Sequence, residues 1–189
     1  GQIQKFHTMQ EYGSYAVFWS SGSGKMLYVY DVFTGAHMAN VTNAPSPPAL
    51  GSLTGIVDSW DYDSLGAIIR WYTSGTDLVC WNSSKIFISS ISGQQNYTSG
   101  IQWTINMTKT YPTGTPTSIS STVINDPTTG DGVLLMRSAP TAVQYCSAGY
   151  QVTAGINIKT GALLWGPLNQ TLPLYQDITL LDAGEGVYV

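Results

Sequence analysis

Residues 155–165 read GINIKTGALLW, a pattern typical of two strands joined by a tight turn and closed by a tryptophan. Gly161 can adopt a positive φ at little cost, and the side chain of Asn157 can hydrogen-bond the backbone of the turn. Residues 28–38, YVYDVFTGAHM, have the same shape and the same spacing between the acidic or amide residue and the glycine. The two copies form an internal repeat of a strand, an Asp or Asn, a Thr-Gly turn and a returning strand. Such repeats decide the architecture of a chain.

The repeated motif resembles the blade motif of pyrroloquinoline-quinone-like β-propellers, in which a small residue, an Asp and a Thr-Gly pair precede a Trp that docks between blades. Asn replaces the usual Asp in the later copy, and Ala39 stands at the Trp position in the earlier one. Residues 78–85 and 100–105 look like a degenerate blade of archaeal surface propellers of this kind. The resemblance implies an all-β fold and says little about chemistry, because propellers host many functions. The matching positions are Asp31, Thr34 and Gly35 in the earlier copy, and Gly155, Asn157, Thr160, Gly161 and Trp165 in the later copy.

The order of strands and connectors predicts a single propeller segment over residues 1–189. Apolar runs recur between turns at a spacing of about ten residues, and none has the apolar period of a helix. The connector at 43–48 contains three prolines, which cannot donate to a sheet, so it cannot be a central strand. We expect blades at approximately 12–48, 52–110 and 117–172, a partial fourth blade at 173–189, and an exposed loop at 93–96.

The composition excludes two classes of partner. Only 10% of the residues are charged, against about 25% in ordinary soluble domains, while 43% are hydrophobic. Seven Lys and Arg residues and a net charge of −4 provide no basic surface for phosphates, so we expect no nucleic acid partner. The chain has no apolar run of about 18 residues, so we expect no membrane span in this segment.

Sequons give the best indication of localisation. Together with the low charge, they favour an exported glycoprotein that is extracellular or lies at the cell surface, although each also fits an ordinary polar turn. Asn40 and Asn96 are the first expected carriers of sugar because they lie near predicted loops. Asn106 is the least expected carrier because it lies in a predicted strand. The five candidates that match Asn-x-Ser/Thr are Asn40, Asn82, Asn96, Asn106 and Asn169.

The cysteines, histidines and acidic residues fit structural roles better than catalytic or metal-binding roles. Cys80 and Cys146 are candidates for one disulfide, which would suit export, but a buried cysteine that packs as a small hydrophobe is the favoured interpretation of each. His7 and His37 are the only histidines, and we interpret them as ordinary strand residues. The acidic residues offer oxygens but lack the spacing of a calcium loop, so solvated turns are favoured. These are Asp58, Asp61 and Asp63 in one stretch, and Asn125, Asp126 and Asp131 in another.

The aromatic load allows two interpretations. Six Trp and twelve Tyr could stack against sugar rings on a binding surface, or could pack between blades and bury large areas. Core packing is favoured. Trp60 and Trp71 are the candidates for exposed platforms.

The favoured function is a non-catalytic exported propeller module with a structural, adhesion or binding role at the cell surface. One alternative is a carbohydrate- or protein-binding module, and another is the remnant of a quinoprotein oxidoreductase. Quinone-dependent dehydrogenases that share the blade motif have adjacent cysteines, a calcium site and a catalytic Asp. Cys80 and Cys146 are far apart in sequence, so we expect no cofactor, no catalytic residue, no metal and no enzyme activity.

The expected partners follow from ring closure. Propellers close with about four to eight blades, and this segment holds three with the start of a fourth. We therefore expect it to be an internal part of a longer propeller, completed by other blades of a longer chain or by another protein chain. A glycan is a further candidate partner.

Overall fold

The computed structural model describes residues 3–9, 15–45, 58–62, 67–87, 90–109, 119–125, 132–138, 149–172, 183–184 and 187–188. These residues form an all-β fold, and no α-helix occurs among them. The chain divides into two compact units, Gly1–Thr104 and Ile105–Val189. The expectation of an all-β protein is confirmed.

The described strands number fifteen, with three 3-10 helices of three or four residues between them. The strands are β1 (Ile3–Met9), β2 (Tyr15–Ser21), β3 (Met26–Asp31), β4 (His37–Thr42), β5 (Asp58–Tyr62), β6 (Ile68–Ser74), β7 (Asp77–Asn82), β8 (Gly93–Asn96), β9 (Ile101–Asn106), β10 (Ile119–Asn125), β11 (Gly132–Ser138), β12 (Gly149–Asn157), β13 (Leu163–Leu172), β14 (Ala183–Gly184) and β15 (Val187–Tyr188). The 3-10 helices are Ser83–Lys85, Tyr97–Gly100 and Met107–Lys109.

The first sheet has the strand order β1-β2-β3-β4-β8. Strands β1 to β4 form an antiparallel meander, while β8 pairs parallel to β4. Alternate residues of β3 and β4 are buried, which is the pattern of a sheet with one face on a core. The sheet begins at Ile3, before the boundary at residue 12 that the sequence suggested.

Strand β8 corrects the expectation of an exposed loop at 93–96. Gly93 is paired with Ala39 and Asn96 with Thr42, so this segment forms the edge of the first sheet. The hydroxyl of Thr42 adds a hydrogen bond to the carbonyl of Gln95 at 3.1 Å. The polar composition of the segment concealed a strand because an edge strand needs no apolar face of its own.

The second sheet, in the order β5-β6-β7-β9, shares one hydrophobic core with the first. Trp19 of the first sheet contacts Trp81 of the second edge to face, with ring centres 6.4 Å apart. Phe87 lies 5.6 Å from the ring centre of Trp19. Residues 58–62, expected to be a solvated loop, form strand β5 and pair with β6.

The second unit contains a four-stranded antiparallel sheet in the order β10-β11-β12-β13 and a small pair, β14-β15. Leu134, Met136, Ala154 and Ile156 are buried in this unit. Strand β13 is an edge of the sheet, and three of its leucines are exposed by 45–49%. These are Leu163, Leu164 and Leu168.

Candidate functional site

The earlier Thr-Gly turn is built around the carboxylate of Asp31. One oxygen of this side chain accepts hydrogen bonds from the backbone N–H of Phe33 at 2.9 Å, from the N–H of Thr34 at 2.7 Å, and from the hydroxyl of Thr34 at 2.9 Å. The N–H of Gly35 donates to the carbonyl of Asp31, also at 2.9 Å. The turn is therefore specified by local bonds, independently of the core.

The later turn repeats this arrangement. The side-chain oxygen of Asn157 accepts from the backbone N–H of Lys159 at 2.9 Å and of Thr160 at 3.0 Å. The N–H of Gly161 donates to the carbonyl of Asn157 at 2.9 Å. Gly35 and Gly161 have φ values of 68° and 72°, so the predicted positive φ of Gly161 is confirmed.

The strands that flank the two turns are also equivalent, except that the larger and the smaller residue of one cross-strand pair change places. A register shift separates Val29 from the next pair in the first sheet, and a shift follows Gly155 in the second unit. Val29 pairs with Ala39, whereas Gly155 pairs with Trp165. The larger residue of the pair thus lies on the first strand in the earlier copy and on the second strand in the later copy.

Trp165 packs over Gly155 within its own sheet. A Cβ added to Gly155 would lie 2.9 Å from Cζ2 of the indole and closer to its Nε1 and Cε2. Glycine is therefore required beneath this ring. Trp165 is only half-buried, and its predicted docking between blades stays a prediction.

Hydrogen bonds lower the pKa of Asp31 below the usual value of an aspartic acid. The bond from the backbone N–H of Thr34 has the largest effect, followed by the bond from its hydroxyl; slight burial opposes both, and the N–H of Phe33 adds to them. The carboxylate is therefore held ionised as a structural acceptor. Asn157 performs the same role without a charge.

Three of the predicted sequons form one recurrent turn at the ends of β7, β8 and β9. In each, the side-chain oxygen of the asparagine accepts from the backbone N–H and the hydroxyl two residues later. For Asn82, the distances from Ser84 are 2.8 Å for both atoms; for Asn96, those from Thr98 are 3.1 and 2.9 Å. Asn106 accepts from Thr108 in the same way.

The middle residue of each of these turns is buried, while Asn96, Asn106 and their hydroxyl partners are exposed; Asn82 is half-buried. The buried residues are Ser83, Tyr97 and Met107. Each asparagine thus terminates a strand and starts a 3-10 helix. This capping function favours the Asn-x-Ser/Thr pattern at these sites whether or not a sugar is attached, and sequence reasoning missed it because the pattern coincides with that of a sequon.

Asn40 differs from these three. It lies inside β4, where it is paired with Tyr28 on one side and Gln94 on the other. Its side-chain oxygen is 2.8 Å from Nε2 of His37, and the hydroxyl of Thr42 is bonded elsewhere. Asn169 lies in β13 and is paired with Val152.

An aromatic face was not anticipated from the sequence. Phe18 and Tyr30 are stacked, with ring centres 5.0 Å apart and planes 13° from parallel. The ring of His37 lies 6.0 Å from that of Tyr28 and 5.4 Å from that of Tyr30. The three aromatic residues are half-buried and His37 is exposed, so these rings are open to solvent in part. The alternation of Tyr28 and Tyr30 with buried Leu27 and Val29 was the available signal.

A scan against protein-family models and a search of curated proteins found no match to this chain.

The other candidate residues are distributed as follows. Trp71 is buried, so it is not an exposed platform. Burial raises the pKa of the Cys80 thiol to about 12. The disulfide of Cys80 with Cys146 stays a prediction because Cys146 lies outside the described residues. Asp63, Asp126 and Asp131 also lie outside them, and for His7, Asp58, Trp60 and Asp61 the structure describes the strand alone.

Two findings are limited to the part of the chain that the structure describes. No group of three or more His, Cys, Asp or Glu side chains there is arranged to hold a metal ion. No helix there is long and apolar enough to cross a membrane.

Proposed function

We propose that this chain is a non-catalytic, exported β-propeller module with a structural or adhesive role at the cell surface. The observation that carries the proposal is the pair of equivalent Thr-Gly turns. Two segments far apart in sequence share the same backbone hydrogen bonds and a positive-φ glycine at the same point. Repetition of one such unit is how propellers are built.

Exposed apolar residues support further blades as the partners of this module. Leu163, Leu164 and Leu168 leave about half of their surface in water along the edge strand β13. Exposed apolar residues along the edge of a sheet are a hazard for a free-standing protein and are normally covered. Additional blades, from the same or another chain, are the cover that the propeller architecture supplies.

The proposal is tested by determining whether the protein lies outside the cell in its native host. Intact cells that carry an epitope-tagged protein are treated with a protease that cannot enter them, and the tag is followed by immunoblot. We expect the tag to be digested on intact cells while a cytoplasmic control protein survives. A protected tag, together with an intact mass equal to that of the bare chain, would refute export as a glycoprotein.

The aromatic face favours carbohydrate binding as the second candidate function. Stacked rings with polar groups beside them are suited to a pyranose, whose apolar face can lie on an aromatic ring. Here His37 and Asn40 supply the polar groups next to Tyr28 and Tyr30. Glycan-array binding that is lost in Tyr30→Ala would support this function. Phe33→Ala is the control, because Phe33 is 83% exposed in the Thr-Gly turn.

The oxidoreductase alternative has a direct assay. The protein is incubated with pyrroloquinoline quinone, calcium and an artificial electron acceptor, with alcohols and sugars as candidate substrates. We expect no reduction of the acceptor. Turnover that depends on the quinone would overturn the non-catalytic proposal.

A further inference from the structure

The five sequons differ in how much of the fold must open before an enzyme can reach them. We infer that Asn82, Asn96 and Asn106 accept an N-linked glycan on the folded protein, whereas Asn40 accepts one only before β4 has paired. This inference rests on the proposed export as a glycoprotein, and it adds which asparagines are modified and when.

The strand-end turns bring together the two groups that define a sequon. In each, the hydroxyl of the third residue already donates to the side-chain oxygen of the asparagine. The amide nitrogen, Nδ2, is bonded to the same carbon as this oxygen, so it lies close to the hydroxyl. A transferase that has to recognise the hydroxyl and the amide nitrogen together finds them adjacent, without changing the backbone.

The Asn96 site is held in place from the core. Asn96 and Thr98 are exposed, while Tyr97 between them is buried and its ring stacks on Trp81 at 4.5 Å. The buried ring anchors the turn, so the two polar side chains face outward in a fixed orientation. Asn43 donates a further hydrogen bond to the Asn96 oxygen at 3.2 Å, and Nδ2 of Asn96 takes no part in that bond.

The Asn40 site has the opposite geometry. In an extended strand, the asparagine and the hydroxyl residue lie about 7 Å apart on one face, and Thr42 donates to Gln95 rather than to Asn40. Strand β4 has partners on both sides. To enclose this sequon, a transferase has to strip β4 from β3 and β8, which breaks the first sheet.

The transfer itself forms one bond and breaks one. Nδ2 of the asparagine attacks the anomeric carbon of a sugar linked to a polyisoprenyl diphosphate, and the bond from that carbon to the diphosphate oxygen breaks. The lipid diphosphate leaves with the electron pair, and Nδ2 loses one proton to a base of the transferase. No oxidant or reductant is involved.

The experiment compares the folded chain with its own peptides. Protein made in a host without N-glycosylation is incubated with an oligosaccharyltransferase and a polyisoprenyl-diphosphate oligosaccharide, and site occupancy is measured by peptide mass spectrometry. Proteolytic peptides of the same protein are treated in parallel. On the folded chain, we expect occupancy at Asn96 and Asn106, less at the half-buried Asn82, and at least tenfold less at Asn40 than at Asn96. On peptides, Asn40 should be occupied as well as Asn96.

Two variants of Thr98 test whether its hydroxyl is needed for modification of Asn96. Thr98→Ser retains both the hydroxyl and the acceptor pattern, so occupancy at Asn96 should persist. Thr98→Ala should abolish it without changing Asn106. Equal occupancy of Asn40 and Asn96 on the folded chain, or a bare folded chain whose peptides are fully modified, would overturn the inference.

Different results would refute the proposed function and this inference. Bare asparagines in protein purified from the native host would remove the proposed glycoprotein, whatever the pattern in vitro. Native occupancy at Asn40 alone would keep the glycoprotein and contradict the role of the turns.

Discussion

Replacing Gly155 with alanine tests the packing of Trp165 in the second unit. The added methyl group would lie 2.9 Å from Cζ2 of the indole and closer to two other ring atoms, whereas ordinary contacts begin at 3.4 Å. The ring therefore has to move, or β12 and β13 have to separate. Overpacking of this kind typically costs about 1–3 kcal/mol of unfolding free energy.

The same substitution should become harmless when Trp165 is alanine. All three of the atoms nearest to the added methyl belong to the indole. Gly155 does not have a positive φ, so alanine there should restrict the unfolded chain and contribute about 0.4–1 kcal/mol of stability. The double-mutant cycle should therefore give a coupling energy of about 1.4–4 kcal/mol, the sum of these two effects.

Gly100 provides the matched control. A Cβ at this position would lie 2.8 Å from Cδ1 of the Trp81 indole and closer to its Nε1, and it would also meet the backbone oxygen of Asn82 at 2.8 Å. Shortening Trp81 to alanine removes the first contact and leaves the second, so Gly100→Ala should stay destabilising in that background. Urea unfolding followed by circular dichroism measures all variants, with a constant slope as the check on two-state behaviour. Equal costs of Gly155→Ala in both backgrounds would refute the packing of Trp165 on this glycine.

Four further outcomes are expected. Because its folded-state pKa is lowered, ionised Asp31 stabilises the fold above pH about 4; this contribution is lost as the pH falls through the lowered pKa, and Asp31→Asn should flatten that part of the urea-midpoint profile. Trp81→Phe should cost about 1–2 kcal/mol more than Trp19→Phe, since the Trp81 N–H donates to the Tyr97 carbonyl at 2.8 Å and the buried Trp19 N–H has no partner among the described residues; equal losses would contradict this. Cys80 should react with iodoacetamide only after denaturation, and rapid alkylation of the native protein would contradict its burial. Asn96→Asp should retain the melting temperature because the capping oxygen remains, while Asn96→Ala should lose about 0.5–2 kcal/mol; equal stabilities would exclude the cap.

The Thr-Gly turns could be predicted from sequence because their determinants are local. Asp31 and Thr34 are three residues apart, and their hydrogen bonds do not depend on the rest of the fold. The same holds for Asn157 and the positive φ of Gly161. Hydrogen bonds from a side chain to the backbone two or three residues away depend only on the local sequence, so the local sequence determines the geometry of these turns.

Strand β8 could not be predicted because its determinants are distant. Its partner β4 ends at Thr42, far before Gly93 in the chain, and the Gly-Gln-Gln-Asn sequence carries no apolar alternation. The position of the Asn40 sequon inside the sheet depends on the same distant pairing. Asn40 looked like a loop residue beside a proline connector, yet the addition of β8 makes β4 an inner strand.

The late arrival of β8 has a consequence for synthesis on the ribosome. The hydroxyl of Thr42 bonds to a residue 53 positions further along the chain, so β4 waits for its last neighbour while all of β5, β6 and β7 is being made. During that interval β4 presents an unpaired edge next to apolar residues such as Val41, which is the condition under which strands pair with the wrong partner. Pairings of such long sequence separation also form slowly. The nascent chain is thus most exposed to misassembly between the emergence of Thr42 and that of Asn96, and a holding chaperone would have its greatest effect there.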